Sequence, residues 1–129
     1  MRDSKLITVD LFTQQHVTRR FRLKGDVFTD VKNTFKARGF DSCIEMVRSR
    51  TAEAAPLFGD GSFIFLFIDA DHSYEGVRSD FEAWQSKLQP DGIIAFHDSH
   101  KEAIIKFHSE IVDWEEFDRV ETLSVWKRK

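Results

Sequence analysis

Acidic residues and histidines follow two apolar segments of the sequence, and these are the side chains best suited to chemistry. Asp69 and His72 come just after one apolar run, and His97 and Asp98 come just after the next. Carboxylate oxygens are ligands for hard cations such as magnesium, and an imidazole can accept a proton near neutral pH. The two segments therefore predict a polar site suited to proton transfer or to binding a divalent cation.

A strand, a helix and a second strand are expected to position these groups. Residues 63–68 form an apolar run of strand length, and residues 93–96 form another. Between them, Ser73 suits a helix N-cap and Pro90 suits the end of the helix. The apolar residues at helical spacing are Val77, Phe81, Trp84 and Leu88. Ligands bind at the carboxyl ends of parallel strands, so both polar groups should lie at one edge of a sheet.

The rest of the chain continues the alternation of strands and helices. Earlier strands are expected at residues 6–9, which Asp10 follows, and at residues 44–47, which Ser49 and Thr51 follow. The other expected elements are helices from about residue 26 and over residues 101–110, a short helix ending near residue 55, and a hairpin of residues 116–121 and 123–127. This order predicts an α/β sheet with helices on both faces and a C-terminal antiparallel hairpin.

Composition limits the classes of protein to which the chain can belong. With 129 residues, 41% of them hydrophobic and 32% charged, the chain is expected to form a single globular domain, residues 1–129. Its net charge of −3 gives no reason to expect nucleic acid or an anionic membrane as a partner. A single cysteine, Cys43, and the lack of a long apolar segment favour a cytoplasmic setting.

The stretch 63–99 resembles the class I S-adenosylmethionine-dependent methyltransferases. Within them it is most similar to the small-molecule and sugar O-methyltransferase group, which carries a D-x-D-H turn after one strand and an H-D turn after the next. The segments LITVDLF, IEMVRSRTAEAA and TLSVWKRK resemble the second, third and last strands of that fold. The resemblance implies a Rossmann-like methyltransferase sheet, here a partial domain from which the family's first strand and glycine-rich loop are missing.

The same resemblance implies positions for the cofactor S-adenosylmethionine. Asp10 would accept hydrogen bonds from the ribose hydroxyls, and Ser49 and Thr51 would lie by the adenine. Asp69 would face the methionine end of the cofactor. Arg50 takes a place where the family often has an acid.

For catalysis, the resemblance assigns roles to His72 and Asp69. His72 would remove the proton from the acceptor hydroxyl, although a histidine at a helix start can also serve only to bond the backbone. Asp69, Asp98 and His97 would hold a divalent metal such as magnesium, and His97 would shift the preference toward manganese, zinc or iron. The alternative for His97 is a partly buried histidine bonded to a neighbouring carboxylate.

The resulting hypothesis is methyl transfer from S-adenosylmethionine to a hydroxyl of a small molecule or sugar. One alternative is a truncated methyltransferase-like domain that folds or associates without activity. A second is a metal-dependent nucleotide-sugar enzyme, because Asp69 and Asp71 form a D-x-D sequence. A missing strand would leave sheet edges unpaired, so a homo-oligomer formed through those edges is also expected.

Overall fold

The computed structural model divides the chain into two compact units, Met1–Arg50 and Thr51–Lys129. The residues that it describes are 4–13, 26–69 and 71–129. Most of the basic connection between the first strand and the first helix lies outside the described residues. In the described part of the chain, no helix has both the length and the apolar character needed to cross a membrane.

The first unit contains two parallel strands joined through a helix. Its elements are β1 (Leu6–Asp10), α1 (Val27–Ala37) and β2 (Ile44–Arg48). Asp26 caps α1 by accepting a hydrogen bond from the backbone of Thr29, and Gly39 follows the helix with a φ of 75°, which glycine adopts without steric cost. Asp10 pairs with Arg48, so both strands end at the same edge of this small sheet.

The second unit is a four-stranded sheet with helices packed against it. Its elements are α2 (Thr51–Ala54), β3 (Phe63–Ile68), α3 (Tyr74–Trp84), β4 (Leu88–Phe96), α4 (Glu102–His108), β5 (Trp114–Val120) and β6 (Leu123–Arg128). The strand order is β3-β4-β6-β5, with β3 and β4 parallel and the other pairs antiparallel. The expected α/β fold with a C-terminal hairpin is confirmed.

The core of the second unit forms between β4 and the helices α3 and α4. Alternation along the strand places Ile94 and Phe96 on the inner face, where both are almost completely buried. Phe81 of α3 and Phe107 of α4 pack there with ring centroids 5.3 Å apart. Each large apolar side chain buried in this way contributes roughly 1.5–3 kcal/mol. This packing holds the ends of β3 and β4 next to the start of α3.

The end of the central helix differs from the sequence expectation. Leu88 was expected on the helix, but α3 ends at Trp84, a short 3₁₀ turn follows, and β4 already begins at Leu88. Leu88 pairs with Phe63, and the register then shifts so that Ile93 pairs with Phe65. Pro90 lies in the irregular stretch between these pairs. Because proline has no N–H to donate, it is tolerated at such a bulge.

Candidate active site

The turn between β3 and α3 is shaped by the start of the helix. Ser73 caps α3 by accepting a hydrogen bond from Gly76 N at 3.0 Å, and Asp71 Oδ1 accepts one from Ser73 N at 2.9 Å. A Cβ atom on Gly76 would lie only 2.5 Å from Asp71 Cγ, so the glycine makes room for that carboxylate. Asp71 therefore belongs to the start of the helix. In the sequence it lies between Asp69 and His72.

The turn after β4 is tied to the C-terminal hairpin by buried hydroxyls. Trp126 Nε1 donates to Ser124 Oγ at 2.9 Å, Ser124 Oγ lies 2.6 Å from Ser99 Oγ, and Ser99 Oγ donates to Phe96 O at 3.0 Å. Asp98 sits within this turn with a φ of 53°, a left-handed conformation that costs energy for a residue other than glycine. The hydrogen bonds of the buried serine pair fix the turn and hold Asp98 in that conformation.

Four side chains from the two turns converge at the ends of β3 and β4. His72 Nδ1 lies 3.1 Å from Asp98 Oδ2, and His97 Nδ1 lies 3.6 Å from the same oxygen. His97 Nδ1 is also 3.1 Å from Asp69 Oδ1, although this nitrogen makes no hydrogen bond with the described residues. Ile68 and Phe96 are paired in the parallel register, so the residues that follow them are brought together. The structure thus brings these four sequence-predicted residues into one cluster.

Three of these side chains could share a cation. Ligand atoms of Asp69, His72 and Asp98 all lie within 4.8 Å of one another, so the group includes His72 in the position that the sequence had assigned to His97. Two carboxylates and one imidazole suit magnesium or manganese. Asp98 has a side chain only 15% exposed, against 44% for His72 and 42% for Asp69, so it is the least solvated of the three.

Sequence reasoning missed Lys101, which also reaches the cluster. Its Nζ donates to Asp98 Oδ2 at 2.9 Å. This hydrogen bond is the main cause that lowers the pKa of Asp98 below its usual value, and the nearby histidines act in the same direction. The spacing Asp98-x-x-Lys101 could have signalled an ion pair, but only the left-handed turn places the two charges side by side.

Two of the expected cofactor ligands lie together in the first unit. Asp10 ends β1 and is exposed, and its Oδ1 accepts a hydrogen bond from Phe12 N at 2.8 Å. Ser49 N donates to Asp10 O at 3.0 Å, while Ser49 Oγ donates to Arg50 O at 2.9 Å. The carboxylate and the serine therefore share the edge at which the two parallel strands end.

Thr51, the third residue expected beside the adenine, makes its contacts within the second unit. Its hydroxyl donates to Asp80 Oδ1, and its carbonyl accepts a hydrogen bond from Trp84 Nε1 at 2.8 Å. Asp80 is 5% exposed, and burial raises the pKa of its carboxyl. These contacts fasten α2 to α3. The hydroxyl of Thr51 thus has a structural partner, and its role toward adenine stays a prediction.

Comparison with known proteins relates this arrangement to a family. A family model described as a methyltransferase domain matches residues 1–99, which include both turns of the cluster. The chain belongs to that methyltransferase domain family. Among curated proteins, a 54-residue segment is 37% identical to the uncharacterized protein y4gI of Sinorhizobium fredii. That match covers 42% of this chain and 6% of the other protein.

Solved methyltransferase structures have the same fold. The Podospora anserina methyltransferase PaMTH1, bound to S-adenosylhomocysteine, superposes with a TM-score of 0.68 at 12% identity over 98% of this chain and 62% of its own. CalS11, a TDP-rhamnose 3'-O-methyltransferase of calicheamicin biosynthesis, superposes with a TM-score of 0.65 at 14% identity, over 95% of this chain and 58% of its own. MycE of the mycinamycin pathway, in complex with magnesium and S-adenosylhomocysteine, superposes with a TM-score of 0.57 at 12% identity, over 98% of this chain and 45% of its own. The chain therefore spans less than two thirds of these methyltransferases.

Proposed function

We propose that this chain takes part in methyl transfer from S-adenosylmethionine to a hydroxyl group of a small molecule or sugar. The observation that carries the proposal is the convergence of two aspartates and two histidines at the ends of β3 and β4. In a chain of the methyltransferase domain family, that edge of the sheet is where ligands are expected. The small-molecule or sugar acceptor is inferred from the resemblance of residues 63–99 to small-molecule and sugar O-methyltransferases. The sugar methyltransferase CalS11 shares the fold.

The geometry supports His72 as the base that removes the proton of the acceptor. With its Nδ1 3.1 Å from Asp98 Oδ2, the ring can present Nε2 to the hydroxyl. Nε2 of His72 would accept the hydroxyl proton as the acceptor oxygen bonds to the methyl carbon that a bound S-adenosylmethionine would supply, and the carbon–sulfur bond would break to leave neutral S-adenosylhomocysteine. Asp98 then stabilises the imidazolium ion, because its carboxylate lies against the protonated ring. The protein also has to hold donor and acceptor in line.

The donor set also fits a divalent cation. Asp69, Asp98 and His72 would hold it, and a bound cation would lower the pKa of an acceptor hydroxyl. MycE, which has the same fold, was solved with magnesium. In that arrangement His72 acts as a ligand, so the same imidazole cannot serve as the base at the same time.

The proposed contacts with the cofactor are those that the family resemblance implies. Asp10 accepts hydrogen bonds from the ribose, Ser49 lies toward the adenine, and Asp69 faces the methionine end. Support comes from the exposed carboxylate at the end of β1 and from Ser49 beside it. The nucleotide-sugar alternative is less well supported. Its D-x-D pair would need Asp71, which is packed against Gly76 at the start of α3.

Calorimetric titration with S-adenosylhomocysteine tests the proposal. We expect the wild-type chain to bind, and Asp10→Ala and Asp10→Asn to lose at least about tenfold in affinity, since each removes a charged acceptor. Asparagine can still accept the hydrogen bond from Phe12 N, so the loop should be unchanged in Asp10→Asn. A loss of affinity in that variant would therefore come from a lost contact with the ligand. Asp41→Ala, which removes an exposed carboxylate from the turn before β2, is the matched control.

Three results would contradict the proposal or one of its assignments. Absence of heat at millimolar S-adenosylhomocysteine with the folded wild-type chain would favour the non-catalytic alternative. Binding that is equally strong in Asp10→Asn and in the wild type would remove Asp10 from the ribose site. Binding of a nucleotide sugar without binding of S-adenosylhomocysteine would favour the D-x-D alternative.

A further inference from the structure

Lys101 occupies a position in which a lysine is locally unfavourable. It is the N-cap residue of α4, where its side chain makes no capping hydrogen bond. Serine, threonine, aspartate and asparagine are preferred at an N-cap because they accept hydrogen bonds from the first backbone N–H groups. A positive charge is also disfavoured there by the helix dipole. Residues that are unfavourable for the local secondary structure often belong to functional sites. Here the side chain of Lys101 donates a hydrogen bond to Asp98.

The ammonium group of Lys101 contacts the oxygen around which the cluster is arranged. Asp98 Oδ2 is 2.9 Å from Lys101 Nζ and 3.1 Å from His72 Nδ1. The same oxygen lies 3.6 Å from His97 Nδ1. Since Asp98 is only 15% exposed, water screens the lysine charge less at this carboxylate than at an open surface. Lys101 thus already neutralises the carboxylate that a divalent cation would also need.

We propose that Lys101 is a positioning residue that acts as an internal cation at Asp98, holding the carboxylate toward His72 and competing with a divalent ion for the site. This inference rests on the proposed function, because it concerns the same cluster. A cation bound by Asp69, His72 and Asp98 would lie close to the ammonium group and be repelled by it. Lys101 therefore weakens the binding of a divalent metal at these three ligands.

The competition can be measured directly as manganese affinity. Electron paramagnetic resonance of free manganese, titrated with the purified chain, compares the wild type with Lys101→Gln and Lys101→Arg. We expect Lys101→Gln to bind manganese about tenfold more tightly. A neighbouring positive charge lowers the affinity of a carboxylate for a proton by about tenfold or more, and it should weaken the binding of another cation in the same way. Lys101→Arg keeps the charge and should remain as weak as the wild type. Adding Asp98→Asn to Lys101→Gln should abolish the gain.

A second variant guards against a change in folding. Lys101→Ser places a preferred N-cap residue at the start of α4, so it should fold at least as well as the wild type and should also bind manganese more tightly. If Lys101→Ser and Lys101→Gln bind manganese no more tightly than the wild type, the proposal is wrong. An equal gain in Lys101→Arg would also overturn it, because the charge would then not be the cause.

The proposed function is tested separately on the same variants. Titration with S-adenosylhomocysteine in the absence of metal should give the same affinity for Lys101→Gln and for the wild type. If no form bound S-adenosylhomocysteine, the proposed function would fail while the manganese comparison would still stand. If the cofactor product bound but manganese affinity did not change, only the role of Lys101 would be rejected.

Discussion

At the scale of single residues, the candidate site depends on side chains that hold a turn as well as on those that would react. Asp71 carries no proposed role in the chemistry, yet it accepts a hydrogen bond from Ser73 N and lies against Gly76. The turn it stabilises carries Asp69 at one end and His72 at the other. Asp71 therefore helps to set the distance between Asp69 and His72.

Replacing Gly76 with alanine tests this dependence. Alanine is the better helix former, so the helix alone would gain stability. The added Cβ would, however, lie 2.5 Å from both the Cβ and the Cγ of Asp71, so the whole side chain of Asp71 would have to move. We expect lower thermal stability and weaker binding of S-adenosylhomocysteine in Gly76→Ala. The additional replacement Asp71→Gly, which removes the Cβ as well as the carboxylate, should relieve the crowding and restore part of the thermal stability lost in Gly76→Ala. If Gly76→Ala alone were as stable as the wild type, the proposed crowding would not exist.

At the scale of elements, a half-buried histidine packs α4 against the sheet. His108, the last residue of α4, lies between Phe96 and Trp126, with ring centroids 4.9 and 4.6 Å away. Its Nε2 has no hydrogen-bond partner among the described residues. Burial lowers the pKa of His108 from 6.5 to about 4; Arg119 adds to this, and Glu116 opposes it. The core therefore holds this imidazole in its neutral form.

The lowered pKa predicts a pH-dependent loss of stability. Below its ordinary pKa of 6.5, His108 takes up a proton in the unfolded chain but not in the folded one until the pH approaches about 4. The free energy of unfolding should therefore fall across that interval. In His108→Leu we expect this fall to be smaller by roughly 1–3 kcal/mol.

Urea unfolding at a pH of about 7.5 and again at about 4.5 measures the effect. Other groups also titrate in this interval, so the informative quantity is the difference between the wild type and each variant. His100→Gln, which replaces an exposed histidine, should behave like the wild type. Parallel loss of stability in the wild type and in His108→Leu would show that burial of this imidazole does not govern the pH dependence.

At the scale of the whole molecule, β3 is an edge strand of the four-stranded sheet among the described residues. Its six residues carry no charge, and Ile64, Phe65 and Phe67 are 66%, 49% and 53% exposed. An exposed, apolar edge strand readily pairs with a strand of another chain. The homo-oligomer expected from the sequence therefore remains a proposal, and β3 of a second copy is the partner we propose for this edge.

A charge placed on β3 should weaken such an association. We expect the wild type to have at least the mass of a dimer by light scattering, and Phe65→Lys to shift the mass toward the monomer, because lysines on edge strands oppose pairing. Ile105→Lys is the control, since Ile105 is similarly exposed at 53% but lies on α4. A monomeric wild type, or an equal shift in both variants, would exclude pairing through β3.

The sequence by itself determined most of the elements and the residues that converge. The apolar run Phe63–Ile68 is the strand observed, Ser73 caps α3 as expected, and the hairpin follows the strand formers of the tail. These features depend on local periodicity, capping and β propensity, which a single sequence displays. The two polar turns were predicted to meet because parallel strands end at one edge of a sheet.

Only the tertiary structure decided how the polar groups share their contacts. Asp98 Oδ2 faces His72 and Lys101, and the hydroxyl of Thr51 is engaged by the buried Asp80. The start of β4 at Leu88 depends likewise on its pairing with Phe63. Each of these outcomes joins groups from different elements, whose distances depend on packing and on the left-handed turn at Asp98. Residue types and spacing along the chain do not specify such distances.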